Sequence, residues 1–195
     1  MKKLTSIALA LMVSSAAIAQ AEYIPTEENL ASRKEFADSK LGIFIHWGPS
    51  SIFGQGEWYL YNGKLNFQEY KKAADAFYPH RFNAQKWVAA IKDSGAKYIT
   101  FVSRHHDGFS MWDTDCSDFD IVDATPYRRD IIKDLARECH RQGIRLHFYY
   151  SHLDWGRGDY PLSDNISDNN HLITGKDPID GRWDNYYRFM NSQLT

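Results

Sequence analysis

Histidines, indoles, phenols and a few carboxylates gather in three tight clusters along this chain. The first is His46-Trp47-Gly48, followed closely by Gly56-Glu57-Trp58-Tyr59. The second is His105-His106-Asp107-Gly108-Phe109 with Trp112, and the third is Tyr149-Tyr150-Ser151-His152 with Asp154-Trp155. Imidazole and phenol groups exchange hydrogen bonds with hydroxyls, and aromatic faces pack on C–H bonds, so this set of side chains suits a sugar. Each group also has a plainer role. A histidine at a strand end can simply cap the sheet, Trp58 and Trp155 can pack loops, and Glu57 can be a solvated charge. His105 and His106 are harder to assign to packing alone, because successive side chains on a strand point to opposite faces. His80, His140 and His171 fall in helical or loop contexts and receive no role.

A metal centre is the chemical competitor for so many histidines. Metal-dependent barrel hydrolases often place His-x-His on one strand so that both rings share a face. Here the histidines are Ile45-His46-Trp47 and the adjacent pair His105-His106, which is the wrong spacing, and neither His-x-x-x-His nor His-Glu-x-x-His occurs. No metal and no cofactor are expected on this reading, with a metal-dependent barrel hydrolase kept as an alternative.

The elements that carry these clusters alternate in type. Leu41 to Ile45 is a short apolar run read as a buried strand, and Tyr98 to Val102 and Ile144 to Tyr150 are the next such runs. Between them, Phe67, Tyr70, Ala74 and Phe77 recur at helical spacing, which predicts a helix over 67–77. Asn83 is an N-cap for a second helix with Trp87, Ala90 and Ile91 on one face and Gly95 just past its end. Asp130 to Gln142 reads as a helix with Ile131, Leu135 and Cys139 inward and Gly143 as its stop. Residues 156–181 read as a long polar loop, and a last helical pattern starts near Trp183.

Strand and helix in alternation imply an α/β fold with parallel pairing. A doubly wound nucleotide-binding sheet would carry G-x-G-x-x-G after its first strand, and none is present. Polar and aromatic residues instead collect at the C-terminal end of each strand, where (β/α)8 TIM-type barrels place their sites. A full barrel takes about 250 residues and eight strands, whereas this chain of 195 supplies three βα units. The chain is therefore expected to be the N-terminal part of an incomplete barrel.

Met1-Lys2-Lys3 followed by the apolar run Leu4 to Ile18 and small residues around Ala19 and Ala21 has the pattern of a cleaved export signal, residues 1–21. The run is shorter than a membrane span, so no membrane association is expected after cleavage. The domain proper is expected over 22–195, exported to the periplasm or secreted. Losing residues 1–21 removes two lysines and takes the formal net charge from -2 to -4, which speaks against nucleic acid as a partner. Cys116 and Cys139 are too few for a zinc site and lack Cys-x-x-Cys spacing, so they are read as unpaired or merely structural thiols, with a disulfide as the alternative.

Taken together, Phe44-Ile45-His46-Trp47-Gly48-Pro49, Gly56-Glu57-Trp58-Tyr59, Arg104-His105-His106-Asp107-Gly108-Phe109, Trp112, Ser117-Asp118-Phe119 and Tyr149-Tyr150-Ser151 resemble glycoside hydrolase family 29, the α-L-fucosidases. Val122, Thr125-Pro126-Tyr127 and Arg129-Asp130 fit the same family's second long loop and the helix after it. The resemblance implies a retaining exo-glycosidase on a (β/α)8 barrel that releases α-linked L-fucose from fucosylated oligosaccharides and glycoconjugates. It implies that His46, His105, His106 and Tyr150, or Tyr149 in place of Tyr150, bind fucose hydroxyls, and that Glu57 and Trp58 reach the sugar from the side. Asp107 is expected near the sugar in an orienting role. The family's nucleophile ends the fourth strand and its acid/base residue follows, so both are expected beyond Thr195. A non-catalytic fucose-binding remnant is the remaining alternative.

Overall fold

The computed structural model describes residues 23–160 and 183–195. The expected signal, residues 1–21, and most of the expected long loop lie outside the described residues. The chain divides into a first unit that ends at Phe36 and a second from Ala37 to Thr195. Helix α1 (Glu27–Ser39) opens with Glu27 and Glu28 and buries no residue, so no apolar stripe announced it in the sequence.

The second unit is built on a three-stranded parallel sheet in the order β1 (Gly42–Ile45), β2 (Tyr98–Arg104), β3 (Arg145–Tyr150). Ile43 pairs with Ile99 and Ile99 with Leu146, so the expected strands lie side by side in chain order. α5 (Ala84–Asp93) connects the first two strands and α6 (Ile131–Gln142) the second two. The α/β class with a parallel sheet follows directly.

Local chemistry sets the helix ends where the sequence placed them. The Asn83 side chain accepts from Lys86 N at 2.9 Å, and Asp130 accepts from Lys133 N at 2.8 Å, each satisfying an orphan donor of the first turn. α6 stops at Gly143, whose left-handed backbone (φ 72°) returns its N–H to the last turn. The expected helix over 67–77 is interrupted. It forms as α3 (Phe67–Lys71) and α4 (Ala73–Ala76), because Lys72 N bonds Glu69 O and Asp75 N bonds Lys72 O, three residues back rather than four. The buried set Phe67, Tyr70, Ala74 and Phe77 is unchanged by the break. Preceding it in the same long connection are a 3-10 turn (Pro49–Phe53) and α2 (Tyr59–Asn62). α7 (Trp183–Leu194) buries Tyr186, Phe189 and Met190 in a small cluster of its own beside Tyr150 and Tyr160.

The two faces of the sheet differ. Ile99 and Phe101 point under the helices and are fully buried in the main core with Val88, Ile131, Leu135 and Cys139. On the other face Phe44 stays open at 52% exposure, whereas Val102 near the strand end is buried. Cys139 lies buried in the core and Cys116 is partly exposed. Both are free thiols, and burial pushes Cys139 up to about 11. Among the described residues no helix is long and apolar enough to cross a membrane.

Candidate active site

All three clusters lie at or just beyond the C-terminal ends of the strands, Tyr149 and Tyr150 being the last two residues of β3, and the connections fold back toward one another. His46 leaves β1 directly. The 3-10 turn and the glycines after it return the chain so that the Glu57 carboxylate meets His46 Nδ1 in a hydrogen bond. The same oxygen, Glu57 Oε2, lies 3.3 Å from His105 Nε2 at the end of β2. One carboxylate therefore stands between two imidazoles from different strands. His46 is half exposed, whereas Glu57 and His105 are 13% and 9% exposed. Burial and the neighbouring His106 and His46 lower His105 to about 3, so its ring is neutral near pH 7. Nδ1 of His105 is buried with no hydrogen-bond partner among the described residues.

His106 turns the other way, into an aromatic wall. Its Nδ1 lies 2.6 Å from Ser151 Oγ, and that hydroxyl spends its proton on Leu153 O at 2.6 Å. Ser151 must then accept from His106, which fixes the proton on Nδ1 and leaves Nε2 as the acceptor. Burial lowers the His106 pKa as well. Trp58 and Trp155 set their rings edge-on to His106 with centroids 5.2 Å away, and Trp155 stacks on Tyr61. Trp58 is 46% exposed, so the wall keeps an accessible indole at its rim.

The third strand supplies a different phenol from the one singled out. Tyr149 stacks on His105 at 5.9 Å, on the same side as Phe44, which itself stacks on His46 at 4.7 Å. Tyr150 points to the opposite face. Its hydroxyl donates to Gln193 Oε1 of α7 at 3.0 Å, its ring lies beside Trp112, and burial pushes its pKa up to about 12. Of the two expected phenols it is therefore Tyr149 that stands beside His105, the reason being the period-two alternation of a strand. Trp112 leaves the cluster with it. The structure brings together His46, Glu57, Trp58, His105 and His106, and sets Tyr150 apart.

Asp107 is also turned away from the cleft. It is buried, with Oδ2 accepting from the Tyr70 hydroxyl at 2.6 Å and Oδ1 from Phe109 N at 3.1 Å. Burial raises it to about 6, against the pull of those hydrogen bonds and of Arg104. Because Tyr70 belongs to α3 in the first connection, this bond fastens the segment carrying Glu57 and Trp58 to the turn carrying His105 and His106. A second fastening joins the second and third connections. Buried Arg104 bonds Asp154 Oδ2 at 2.8 Å and Ser110 Oγ at 2.7 Å, while Asp154 Oδ1 accepts from Gly156 N and Arg157 N. Gly108 is required between them. Its φ is 77°, and a Cβ there would sit 2.8 Å from Asp154 Oδ1. Arg104, Tyr70 and Asp154 were not singled out as supports. Tyr70 reads in sequence only as one more apolar-face residue, and nothing in spacing pairs Arg104 with a residue fifty positions on.

A parallel α/β sheet with imidazole, carboxylate and indole groups gathered at its strand ends defines the class of the chain, and comparison with known proteins narrows it. A sequence model described as alpha-L-fucosidase matches residues 10–195. The chain is 34% identical to human plasma alpha-L-fucosidase over 67% of this chain and 32% of that protein. Against an alpha-L-fucosidase of Branchiostoma floridae it is 29% identical over 94% of this chain and 49% of that one. Among solved structures, alpha-L-fucosidase isoenzyme 1 of Paenibacillus thiaminolyticus superposes with a TM-score of 0.74 at 31% identity, covering 83% of this chain and 38% of that one. The fucosidase of Lactobacillus casei in complex with its alpha-L-fucose product superposes at 0.64 with 31% identity, covering 83% and 50%. The chain belongs to the alpha-L-fucosidase family. It spans about a third to a half of the length of these relatives.

Proposed function

We propose that the protein is an exported retaining exo-glycosidase that releases α-linked L-fucose from fucosylated glycans. In this reading the chain contributes the first three βα units of a (β/α)8 barrel and the sugar-holding side of its cleft. The observation that carries it is the convergence of His46, Glu57, His105 and His106 at the ends of two adjacent parallel strands, walled by Trp58, in a chain of the fucosidase family. Glu57 accepts hydrogen bonds, neutral His106 presents Nε2 as an acceptor, and the half-exposed His46 ring offers its outer nitrogen to a hydroxyl. The indole of Trp58 packs against the C–H face of the ring. Tyr149 takes the place of the third-strand phenol.

These residues hold a sugar and do not break its glycosidic bond. Retaining hydrolysis needs two carboxyl groups about 5 Å apart, one attacking and one protonating the leaving oxygen. Asp107 and Asp154 are committed to Tyr70 and Arg104, and Glu57 to two imidazoles. The nucleophile and the acid/base residue are assigned to residues beyond Thr195. Export rests on the leader pattern of residues 1–21.

The test combines binding and turnover. The full-length protein is expected to hydrolyse an aryl α-L-fucoside with retention at the anomeric carbon. His106→Ala is expected to weaken inhibition by free L-fucose by about 1–3 kcal/mol, the cost of a lost partner for a buried hydroxyl. An unchanged inhibition constant removes His106 from the sugar site, and inversion of configuration removes the retaining mechanism.

A further inference from the structure

The geometry points to a second ligand for part of this cleft. We propose that His46, Glu57 and His105 form a binding site for a divalent late first-row ion, with zinc as the occupant.

His46, Glu57 and His105 each offer one ligand atom, and all three atoms lie within 4.8 Å of one another. Two imidazole nitrogens and one carboxylate oxygen are the donor set that suits zinc, whereas magnesium and calcium demand oxygen ligands. An ion about 2.1 Å from each donor needs them roughly 3–3.5 Å apart, and His105 Nε2 is already 3.3 Å from Glu57 Oε2. The His46–Glu57 approach has to open, while His46 and His105 stay within 4.8 Å of each other. His46 is the side chain able to move, since it is 53% exposed while the other two are held in place. That same exposure leaves the outer side of the ion open to water or to a sugar hydroxyl. The spacing rule that spoke against a metal tests only ligands sharing one strand. Here the ligands come from the end of β1, from the connection after it and from the end of β2, which no linear spacing reveals.

Coordination requires each ring nitrogen to present a lone pair where it now faces Glu57, so each imidazole proton moves to the other nitrogen of its ring. For His46 that nitrogen faces solvent. For His105 it is Nδ1, which is buried and unpartnered, and a ligand histidine lacking an outer acceptor binds metal more weakly. The site is therefore a moderate one, well short of a structural zinc centre. An ion there takes up the Glu57 carboxylate that the sugar reading assigns to hydroxyls, so metal and sugar compete.

Isothermal titration of EDTA-stripped full-length protein with zinc chloride tests this, with magnesium chloride as control. The expected result is one zinc per chain at this site, no magnesium uptake, and affinity lowered at least about tenfold in both His46→Ala and Glu57→Gln. Cys116→Ser should bind zinc as the parent does, which separates the site from the partly exposed thiol. Circular dichroism confirms that each variant is folded, and the exposed His46 makes its variant the safer of the two. No zinc uptake, or uptake equal in parent, His46→Ala and Glu57→Gln, overturns the proposal. L-Fucose binding to the metal-free protein is measured in parallel by tryptophan fluorescence. Its failure would count against the sugar reading alone, because zinc coordination does not depend on it.

Discussion

Two sets of polar side chains stand at the same strand ends and behave as opposites. Arg104, Asp154, Tyr70 and Asp107 are almost wholly buried, and every charge among them has a partner. His46, Glu57, His106 and Trp58 are partly or half open, and their contacts leave donors and acceptors unspent. The first set binds the three connections to one another, and the second faces the cleft. The difference teaches that polarity at a strand end does not identify a working residue. What separates the two sets is whether the hydrogen-bonding capacity is already closed within the protein.

The largest expected effect tests the closed set. Asp154→Ala leaves the Arg104 guanidinium buried without its counter-charge, and should cost about 3–5 kcal/mol of stability measured by urea unfolding. A loss near zero would show that the pair is open after all. Tyr70→Phe is expected to be milder, about 1–3 kcal/mol, since it removes one hydroxyl and strands one buried carboxylate oxygen. It should also weaken L-fucose inhibition although Tyr70 faces away from the cleft, because the two connections lose their fastening. Destabilisation with fully preserved fucose affinity would separate the support from the site.

The smallest effect lies in the pH dependence of stability. His105 is lowered from 6.5 to about 3, so its contribution is complete above pH 6.5 and falls away as pH drops toward 3. Asp107 is raised from 3.8 to about 6, so its contribution is complete below pH 3.8 and is lost as pH rises through 6. Between those limits the two oppose each other. Asp107→Asn cannot titrate, and its stability should therefore fall more steeply on acidification over that range than the parent's does. Parallel profiles from chemical denaturation would mean that Asp107 does not titrate there.

The sequence was most informative where a physical rule acts locally. Asn83, Asp130 and Gly143 mark helix ends through bonds within a few residues, and the apolar strands pair in chain order. The histidine clusters were legible because strand ends converge in a parallel sheet. Side-chain direction was not. Choosing between Tyr149 and Tyr150 requires the parity of β3, and two adjacent tyrosines carry no signal of it. Asp107 looked available for the sugar because its bond to Tyr70 spans 37 residues. Helix α1 escaped notice because it buries nothing.

One irregularity of the sheet bears on how such a site can change. The pairing of β2 with β3 passes from Val102 opposite Tyr149 to Arg104 opposite Tyr150, which leaves Ser103 as an extra residue. Val102 keeps company with the cleft face, Arg104 with the helix face, and His105 returns to the cleft. The extra residue acts as a phase shift in the alternation. Deleting Ser103 would restore an unbroken ladder, with Val102 opposite Tyr149 and Arg104 directly after it opposite Tyr150, and would leave Arg104 on the helix face and His105 in the cleft. For a lineage drifting by insertion and deletion, this position absorbs a change of length without exchanging support for site.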